Sequence, residues 1–263
     1  MNLYGVIDSD EIVRWMRDKG VTPLFLSISG SHASGLSRPD SDLDIRGIYL
    51  DPLEKVLSLH PGRDTIEANG VIRPEVDLQA YELGKALGML NNSNGNICHQ
   101  LLAPTCFYSV SYINWRDLAE KHITKKLANY FHGYWHSQRK RAAVNRGGKA
   151  LLYSYRELLS GILLMRTGKW IFDFHELKRT FEQTYGWHSC LLDAYMARES
   201  WKQPVAMDKL NDFEIEWEKL VELLNEETAK SSLPDSYDGY DELNRILLYQ
   251  RIAPHGMLSL FGA

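Results

Sequence analysis

The stretch "SISGSHASGLSRPDSDLDIRGIYL", residues 27–50, carries most of the information in this sequence. It begins within an apolar run, "TPLFLSIS", that has the character of a short strand, and Gly30 and Ser31 then turn the chain. Two aspartates, Asp42 and Asp44, follow one residue apart in "SDLDIRG". The stretch therefore predicts a strand, a glycine turn, a helical turn and a second strand that carries two carboxylates.

The two aspartates predict a cation site. Residues i and i+2 of a strand point to one face, so the carboxylates of Asp42 and Asp44 would lie about 6.5 to 7 Å apart. They repel each other unless a cation lies between them, and hard oxygen ligands suit Mg²⁺ or Mn²⁺. The backbone N–H groups that follow Gly30 and the Ser31 hydroxyl can hold phosphate oxygens. Together these features predict a site for a nucleoside triphosphate and its metal ions.

A third carboxylate is expected from Asp77 in "PEVDLQAY". The Asn69-Gly70 pair is a strong hairpin signal, and it places "EVDLQAY" on a strand of the same sheet. Neighbouring strands lie about 4.8 Å apart, and Glu75 shares the face of Asp77 by its period of two. Three such carboxylates can hold two metal ions roughly 3.5 to 4 Å apart.

Other interpretations of the Asp-x-Asp pattern stay open. At the start of a strand it is often a solvated turn, and it also occurs in calcium loops and in metal-dependent glycosyltransferases. A calcium loop is disfavoured because Arg46 stands where an oxygen ligand is needed, and no glutamate closes a twelve-residue loop. A glycosyltransferase would explain the aspartate pair but neither Gly30-Ser31 nor Asp77.

At these residues the sequence resembles the nucleotidyltransferase superfamily typified by DNA polymerase beta, whose signature is Gly-Ser, a spacer, Asp-x-Asp and a distant third acid. The segments "GSHASGLSRPDSDLDIRGIY" and "EVDLQAYELGKALGMLNNSNGNICHQLLAP" are similar to one branch, the predicted nucleotidyltransferases linked with RNA repair. The similarity is clear over residues 24–104 and looser beyond. The chain departs from the branch at "SNGN", where Asn-Pro-Asn is usual, and at His99-Gln100, where a glutamate is usual.

The resemblance implies roles for five residues. Asp42 and Asp44 would bind both metal ions, and Asp77 would bind the catalytic one. Gly30 and Ser31 would hold the β- and γ-phosphates.

A second motif lies in the helical part of the chain. Lys149, Tyr153 and Arg156 are spaced i, i+4 and i+7, which places them on one helix face. Two cations beside an aromatic ring can hold a triphosphate tail and a base or sugar, so we assign them to nucleotide binding. The branch commonly has a histidine where this chain has Tyr153. The alternative is that Tyr153 belongs to the core and both cations are solvated.

Charge is distributed unevenly along the chain. Nine Lys or Arg residues and no acid occur in residues 121–156, whereas residues 212–245 hold eleven acids and three cations. The basic segment also holds aromatic residues, a mixture that suits single-stranded nucleic acid, although aromatics at helical spacing are more often core. The acidic segment either binds a partner or screens the basic one. The candidate contacts to an acceptor are Arg139, Lys140, Arg141 and Arg146.

The periodicity predicts an α+β protein with a small mixed β-sheet core flanked by helices, followed by an all-helical domain. We expect a nucleotidyltransferase catalytic domain over residues 1–105 and a helical domain over residues 106–263 that contributes to nucleotide and acceptor binding. Helices are predicted near residues 82–92, 97–103, 111–121, 124–144, 148–167, 173–185, 206–228 and 236–251.

Composition favours a cytoplasmic location. The 263 residues carry a net charge of −4 and are 44% hydrophobic. No signal peptide and no apolar run of the length that a membrane span needs is recognised. The three cysteines, Cys98, Cys106 and Cys190, are widely spaced, which fits a reducing compartment and shows no zinc pattern.

The residues predict a site for a nucleoside triphosphate and two Mg²⁺ or Mn²⁺ ions, and the resemblance implies that the protein is a metal-dependent nucleotidyltransferase. It would transfer a nucleoside monophosphate from a nucleoside triphosphate, ATP among them, to an acceptor hydroxyl and release pyrophosphate. RNA is the favoured acceptor, and hydroxyls of proteins or small molecules stay open. A nucleotide- or RNA-binding protein of the same fold without turnover is the alternative from another class.

Overall fold

The computed structural model describes residues 9–109, 113–145, 148–196 and 207–255. The chain divides into two compact units. The first comprises the residues up to His122 together with those from Tyr237 onward, and the second is Ile123–Ser236. A mixed sheet with flanking helices in the first unit and helices in the second confirm the predicted α+β class.

The strands are β1 (Thr22–Ile28), β2 (Leu43–Leu50), β3 (Thr65–Asn69), β4 (Val76–Glu82) and β5 (Thr105–Tyr108). The helices are α1 (Ser9–Asp18), α2 (Gly30–Ala33), α3 (Leu53–Val56), α4 (Leu83–Asn91), α5 (Gly95–Leu102), α6 (Trp115–Lys121), α7 (Leu127–Asn145), α8 (Gly148–Thr167), α9 (Phe174–Tyr185), α10 (Cys190–Met196), α11 (Met207–Lys230) and α12 (Tyr240–Ile252). None of the helices in the described part of the chain is long and apolar enough to cross a membrane.

The first unit is built on a five-stranded sheet with the order β3-β4-β2-β1-β5. The strands β2 and β4 run parallel, and the other neighbouring pairs are antiparallel. Alternate residues of β2 and β4, among them Ile45 and Leu78, form one core cluster with Ile12 and Met16 of α1. Because side chains alternate along a strand, the residues between them point to the opposite face of the sheet.

The strand β5 and the helix α10 were not predicted from the sequence. The strand β5 has four residues at the edge of the sheet, and α10 has seven, so neither is long enough to show a clear period. The predicted hairpin does join β3 to β4, but not through a two-residue turn. Residues 70–75 link the strands, and the N–H of Gly70 donates to the carbonyl of Val76 at 3.0 Å.

The compact units divide the chain differently from the boundary expected at residue 105. The chain returns to the first unit at Tyr237, and α12 packs on α4. There Arg251 bonds both carboxylate oxygens of Glu82 at 3.0 Å, and Lys121 of α6 pairs with Glu242 at 2.7 Å. A boundary read along the sequence could not include this return, because it depends on contacts between distant segments.

The second unit is organised around α8. Its residues from Leu151 to Met165 are buried all round, which is the pattern of a central helix rather than of a surface helix. The helices α7 and α11 both pack against α8, and Phe131 of α7 is fully buried there. Gly161 makes this packing close, since a Cβ atom at that position would lie 2.8 Å from Cγ of Phe131.

We expect Gly161→Ala to lower the free energy of unfolding by about 1–2 kcal/mol, because crowding in a packed core outweighs the better helix propensity of alanine. The matched control is Gly133→Ala on α7, where a new Cβ would meet no atom within 4 Å. That change should raise stability by roughly 0.5–1 kcal/mol. Urea denaturation of both variants tests the packing, and shifts of the same sign would contradict it.

Candidate active site

The register of the parallel pair brings two of the predicted acids together. Asp44 is the second residue of β2 and Asp77 the second of β4, and the two are direct partners in the ladder. Both side chains therefore point to the same face of the sheet, from strands about 4.8 Å apart. Both residues are half-buried. The face is the one opposite the core cluster that contains α1.

Gly30 lies directly against the carboxylate of Asp44. Its φ is +62°, and a Cβ atom there would fall 2.0 Å from Oδ2 of Asp44. The N–H of Ser29 donates to the carbonyl of Asp44 at 2.8 Å, which fixes the turn to β2. Ser31 follows in α2 and is 5% exposed. Both the backbone conformation and the close approach require glycine at this position.

Arg46 is a residue of the site that the sequence analysis did not assign to it. Its Nη2 atom lies 3.2 Å from Oδ1 of Asp44, and its Nη1 atom donates to the carbonyl of Ile45 at 3.0 Å. A longer bond of 3.4 Å reaches the carbonyl of Asp77. The guanidinium thus places a positive charge beside the carboxylates. The i+2 spacing from Asp44 was the signal that could have identified Arg46.

Asp42 differs from its expected position on the strand. The ladder begins one residue later, at Leu43, whose N–H donates to the carbonyl of Glu75 at 2.6 Å. Asp42 is exposed and precedes β2. Glu75 likewise precedes β4 and pairs with Arg73 at 3.6 Å. Of the three predicted acids, the sheet therefore fixes Asp44 and Asp77, and the end of a loop carries Asp42.

The donor set around Asp44 fits a hard divalent cation. Carboxylates supply the donors, and the glycine beside Asp44 leaves space that a side chain would fill. Within the described ranges, no three His, Cys, Asp or Glu side chains converge tightly enough to form a complete metal site. The assignment of two ions to Asp42, Asp44 and Asp77 stays a prediction.

The predicted nucleotide-binding residues of the helical part cluster on α8, in the second unit. Arg156 lies 4.7 Å from the centre of the Tyr153 ring, and Lys149 lies 5.8 Å from it. Tyr153 is nearly buried and Lys149 is exposed, as the alternative interpretation expected. Arg156 is not solvated, however, because it is 8% exposed and its Nε donates to Glu157 at 2.9 Å. Burial acts to lower the pKa of Arg156, but attraction to the Glu157 carboxylate raises it, and the net shift of the pKa is upward.

The acidic helix α11 pairs with part of the basic segment. Arg139 donates from Nε to Glu214 at 2.9 Å, and this hydrogen bond raises the pKa of Arg139. His132 bonds the side-chain oxygen of Asn225 at 3.0 Å, which adds a second contact between α7 and α11. Lys140 and Arg141 are exposed, whereas Arg146 lies outside the described residues. The acidic segment therefore screens the charge of Arg139, one of the cations of the basic segment.

The cysteines of the first unit do not provide a nucleophile. Burial raises the pKa of the Cys98 thiol to about 12 and that of the Cys106 thiol to about 11. Both thiols are therefore protonated at neutral pH, and the thiolate is the form that attacks.

Comparison with known sequences identifies the family. The sequence model of the RNA repair pathway DNA polymerase beta family matches residues 6–249. The chain belongs to this family. The resemblance to the DNA polymerase beta-like branch linked with RNA repair is thereby confirmed.

A relative in Bacillus subtilis (strain 168), the "uncharacterized protein YcgL", is 33% identical over 99 residues. The matched stretch covers 38% of this chain and 37% of the Bacillus protein.

We expect Gly30→Ala to lower stability more than a matched glycine change does. The control is Gly20→Ala, because Gly20 has φ +77° and a Cβ there would meet no atom within 4 Å. Backbone strain alone should cost about 1–2 kcal/mol in both variants. The clash with Asp44 should add about 1–3 kcal/mol to the Gly30 variant.

A double-mutant cycle isolates that clash. In the Asp44→Ala background, Gly30→Ala should lose most of its additional cost, since the carboxylate that the new Cβ meets is gone. Chemical denaturation of the four proteins measures the coupling. Equal costs of Gly30→Ala in both backgrounds would mean that Gly30 and Asp44 do not touch.

Proposed function

We propose that the chain transfers a nucleoside monophosphate from a nucleoside triphosphate to the 3′ hydroxyl of an RNA and releases pyrophosphate. The observation that carries this proposal is the pairing of Asp44 with Asp77 on one face of the sheet, with the backbone of Gly30 against Asp44. The link of the family to RNA repair supports the choice of RNA. Both the RNA acceptor and the dependence on metal ions are part of the proposal.

The chain's own residues supply binding, charge and orientation in this proposal. Asp42, Asp44 and Asp77 would hold two Mg²⁺ or Mn²⁺ ions, which align the triphosphate, lower the pKa of the attacking hydroxyl and stabilise the leaving pyrophosphate. The backbone at Gly30 and the hydroxyl of Ser31 would bind the β- and γ-phosphates.

The reaction forms a bond between the acceptor oxygen and the α-phosphorus, and it breaks the bond to the oxygen that bridges the α- and β-phosphorus atoms. The proton of the acceptor hydroxyl passes to solvent, and Asp77, on the strand next to Asp44, would hold the ion that lowers the pKa of that hydroxyl. Arg46 offsets part of the negative charge of the carboxylates before a nucleotide binds, because its guanidinium lies between Asp44 and the Asp77 backbone.

The second unit would contribute Lys149, Tyr153 and Arg156 to nucleotide binding. Among the predicted acceptor contacts, Arg139 is already paired with Glu214, so the exposed Lys140 and Arg141 carry the proposal for that helix. Arg146, which lies outside the described residues, stays a predicted contact to the acceptor. We also propose a cytoplasmic location, which rests on composition alone.

The test is transfer of label from each α-labelled nucleoside triphosphate, with Mg²⁺ or Mn²⁺, to total small RNA and to the protein itself. We expect label on RNA, and a loss of at least about a hundredfold in Asp44→Asn and Asp77→Asn, because a neutral amide binds a divalent cation poorly. The control is Glu54→Gln, an exposed acid on α3, which should keep full activity.

The outcomes separate the proposal from its alternatives. Label that persists in Asp44→Asn would contradict the assignment of the site. Label on protein alone would replace RNA by a protein hydroxyl as the acceptor. Nucleotide binding without label or pyrophosphate release would favour the binding protein without turnover.

A further inference from the structure

A groove of about 780 Å³ lies along β3 and β4 in the first unit, on the face of the sheet that carries Asp77. Gln79 and Tyr81 follow Asp77 at i+2 and i+4 in β4, so their side chains lie on its face of the sheet, about 7 and 13 Å along the strand. We call this pocket the β3–β4 groove. Its lining includes the side chains of Arg63, Thr65, Glu67, Gln79, Tyr81 and Lys85.

The ladders extend this face across three strands. Glu67 of β3 is the direct partner of Gln79, and Thr65 is the partner of Tyr81. On the other side, Gln79 pairs with Arg46 of β2. The groove and the acids are therefore parts of one continuous polar surface of the sheet, and none of the sequence-based assignments included it.

Hydrogen bonds fix the polar groups of the groove. The hydroxyl of Tyr81 donates to Oε1 of Gln79 at 3.0 Å, and Nε2 of Gln79 donates to Oε1 of Glu67 at 3.0 Å. Within the described residues, this leaves one N–H of Gln79 and the Oε2 atom of Glu67 to serve a ligand. A donor next to a carboxylate acceptor can bind a single hydroxyl group, which both accepts and donates.

The cations of the groove differ in their availability. Lys85 donates to Asp64 and to the hydroxyl of Thr65, both at 2.7 Å, and its bond to Asp64 lowers the pKa of that carboxyl. Lys85 also lies 5.3 Å from the centre of the Tyr81 ring, so it is held in place. Arg63 is exposed and forms no ion pair with the residues that the structure describes. Its guanidinium can take a phosphate in bidentate fashion.

We propose that the β3–β4 groove binds the terminal nucleoside of the RNA acceptor and selects ribose over deoxyribose. The 2′ hydroxyl would accept from the remaining N–H of Gln79 and donate to Oε2 of Glu67. The adjacent 3′ hydroxyl would lie towards Asp77, and the phosphate on the 5′ side of that nucleoside would contact Arg63. This inference rests on the proposed function, since it names the site that presents the acceptor. The 2′ hydroxyl is the group by which a protein distinguishes RNA from DNA at one position.

The first experiment measures binding without chemistry. Two RNA oligonucleotides with a 5′ fluorophore differ only in a 2′ hydroxyl or a 2′ hydrogen on the last nucleotide, and both keep the 3′ hydroxyl. Fluorescence anisotropy should show about tenfold tighter binding of the ribose end, the effect of one hydrogen bond to a charged group. Glu67→Ala should remove this preference, and the exposed control Glu54→Ala should keep it.

Arg63→Ala provides a second signature, because the phosphate is common to both oligonucleotides. It should weaken both to the same extent and leave the preference for ribose unchanged, whereas Arg116→Ala, an exposed cation of α6, should change neither. Failure of the wild-type protein to bind RNA, equal binding of the two ends, or a preference that survives in Glu67→Ala would each overturn the assignment of the groove.

Label transfer then distinguishes this inference from the proposed function. With the ribose-ended RNA as acceptor, Glu67→Ala should raise KM about tenfold and leave kcat within about twofold, because Glu67 binds the acceptor and does not take part in the chemistry. Transfer without any effect of Glu67→Ala on KM would overturn the groove and leave the function in place. A ribose preference that depends on Glu67, without transfer of label, would uphold the groove and overturn the function.

Discussion

The parallel register between β2 and β4 is the constraint on which the candidate active site depends. The apolar residues that follow the acids along their strands, Ile45 after Asp44 and Leu78 after Asp77, are fully buried in the core cluster that contains α1. A slip of one residue in β4 would turn Asp77 into this core and Leu78 out of it. Burial of the apolar face therefore specifies, without any contact to a ligand, that Asp44 and Asp77 face the same side.

Placing two carboxylates side by side on a half-buried face is unfavourable unless positive charge compensates them. Here Arg46 supplies part of that charge through its contact with Oδ1 of Asp44, while Gly30 lies against the other oxygen. A ligand that brings cations to the carboxylates could therefore replace the guanidinium of Arg46 as the source of compensating positive charge. A triphosphate with its metal ions is a ligand of this kind.

Sequence reasoning was most successful where the signal is local. The turn at Gly30, the strands on either side of it and the span of α8 follow from spacing, glycine chemistry and periodicity. Asp77 could be predicted because a hairpin places its strand in the same sheet. The return of α12 to the first unit could not, since it depends on pairs such as Glu82 with Arg251. Arg46 and Gln79 were missed because their importance comes from register, which a single strand does not reveal.

The distribution of charge bears on how this chain could recognise nucleic acid. Its net charge is −4, and Arg139 of the basic segment is already paired with an acid of α11. General attraction to a phosphate backbone requires many unpaired cations and weakens steeply with salt. Under the proposed function, specific contacts would therefore contribute much of the binding of an RNA acceptor. In the proposed groove, Glu67, Gln79 and Arg63 would supply such contacts at the end of the RNA, where a free hydroxyl and a single phosphate are available.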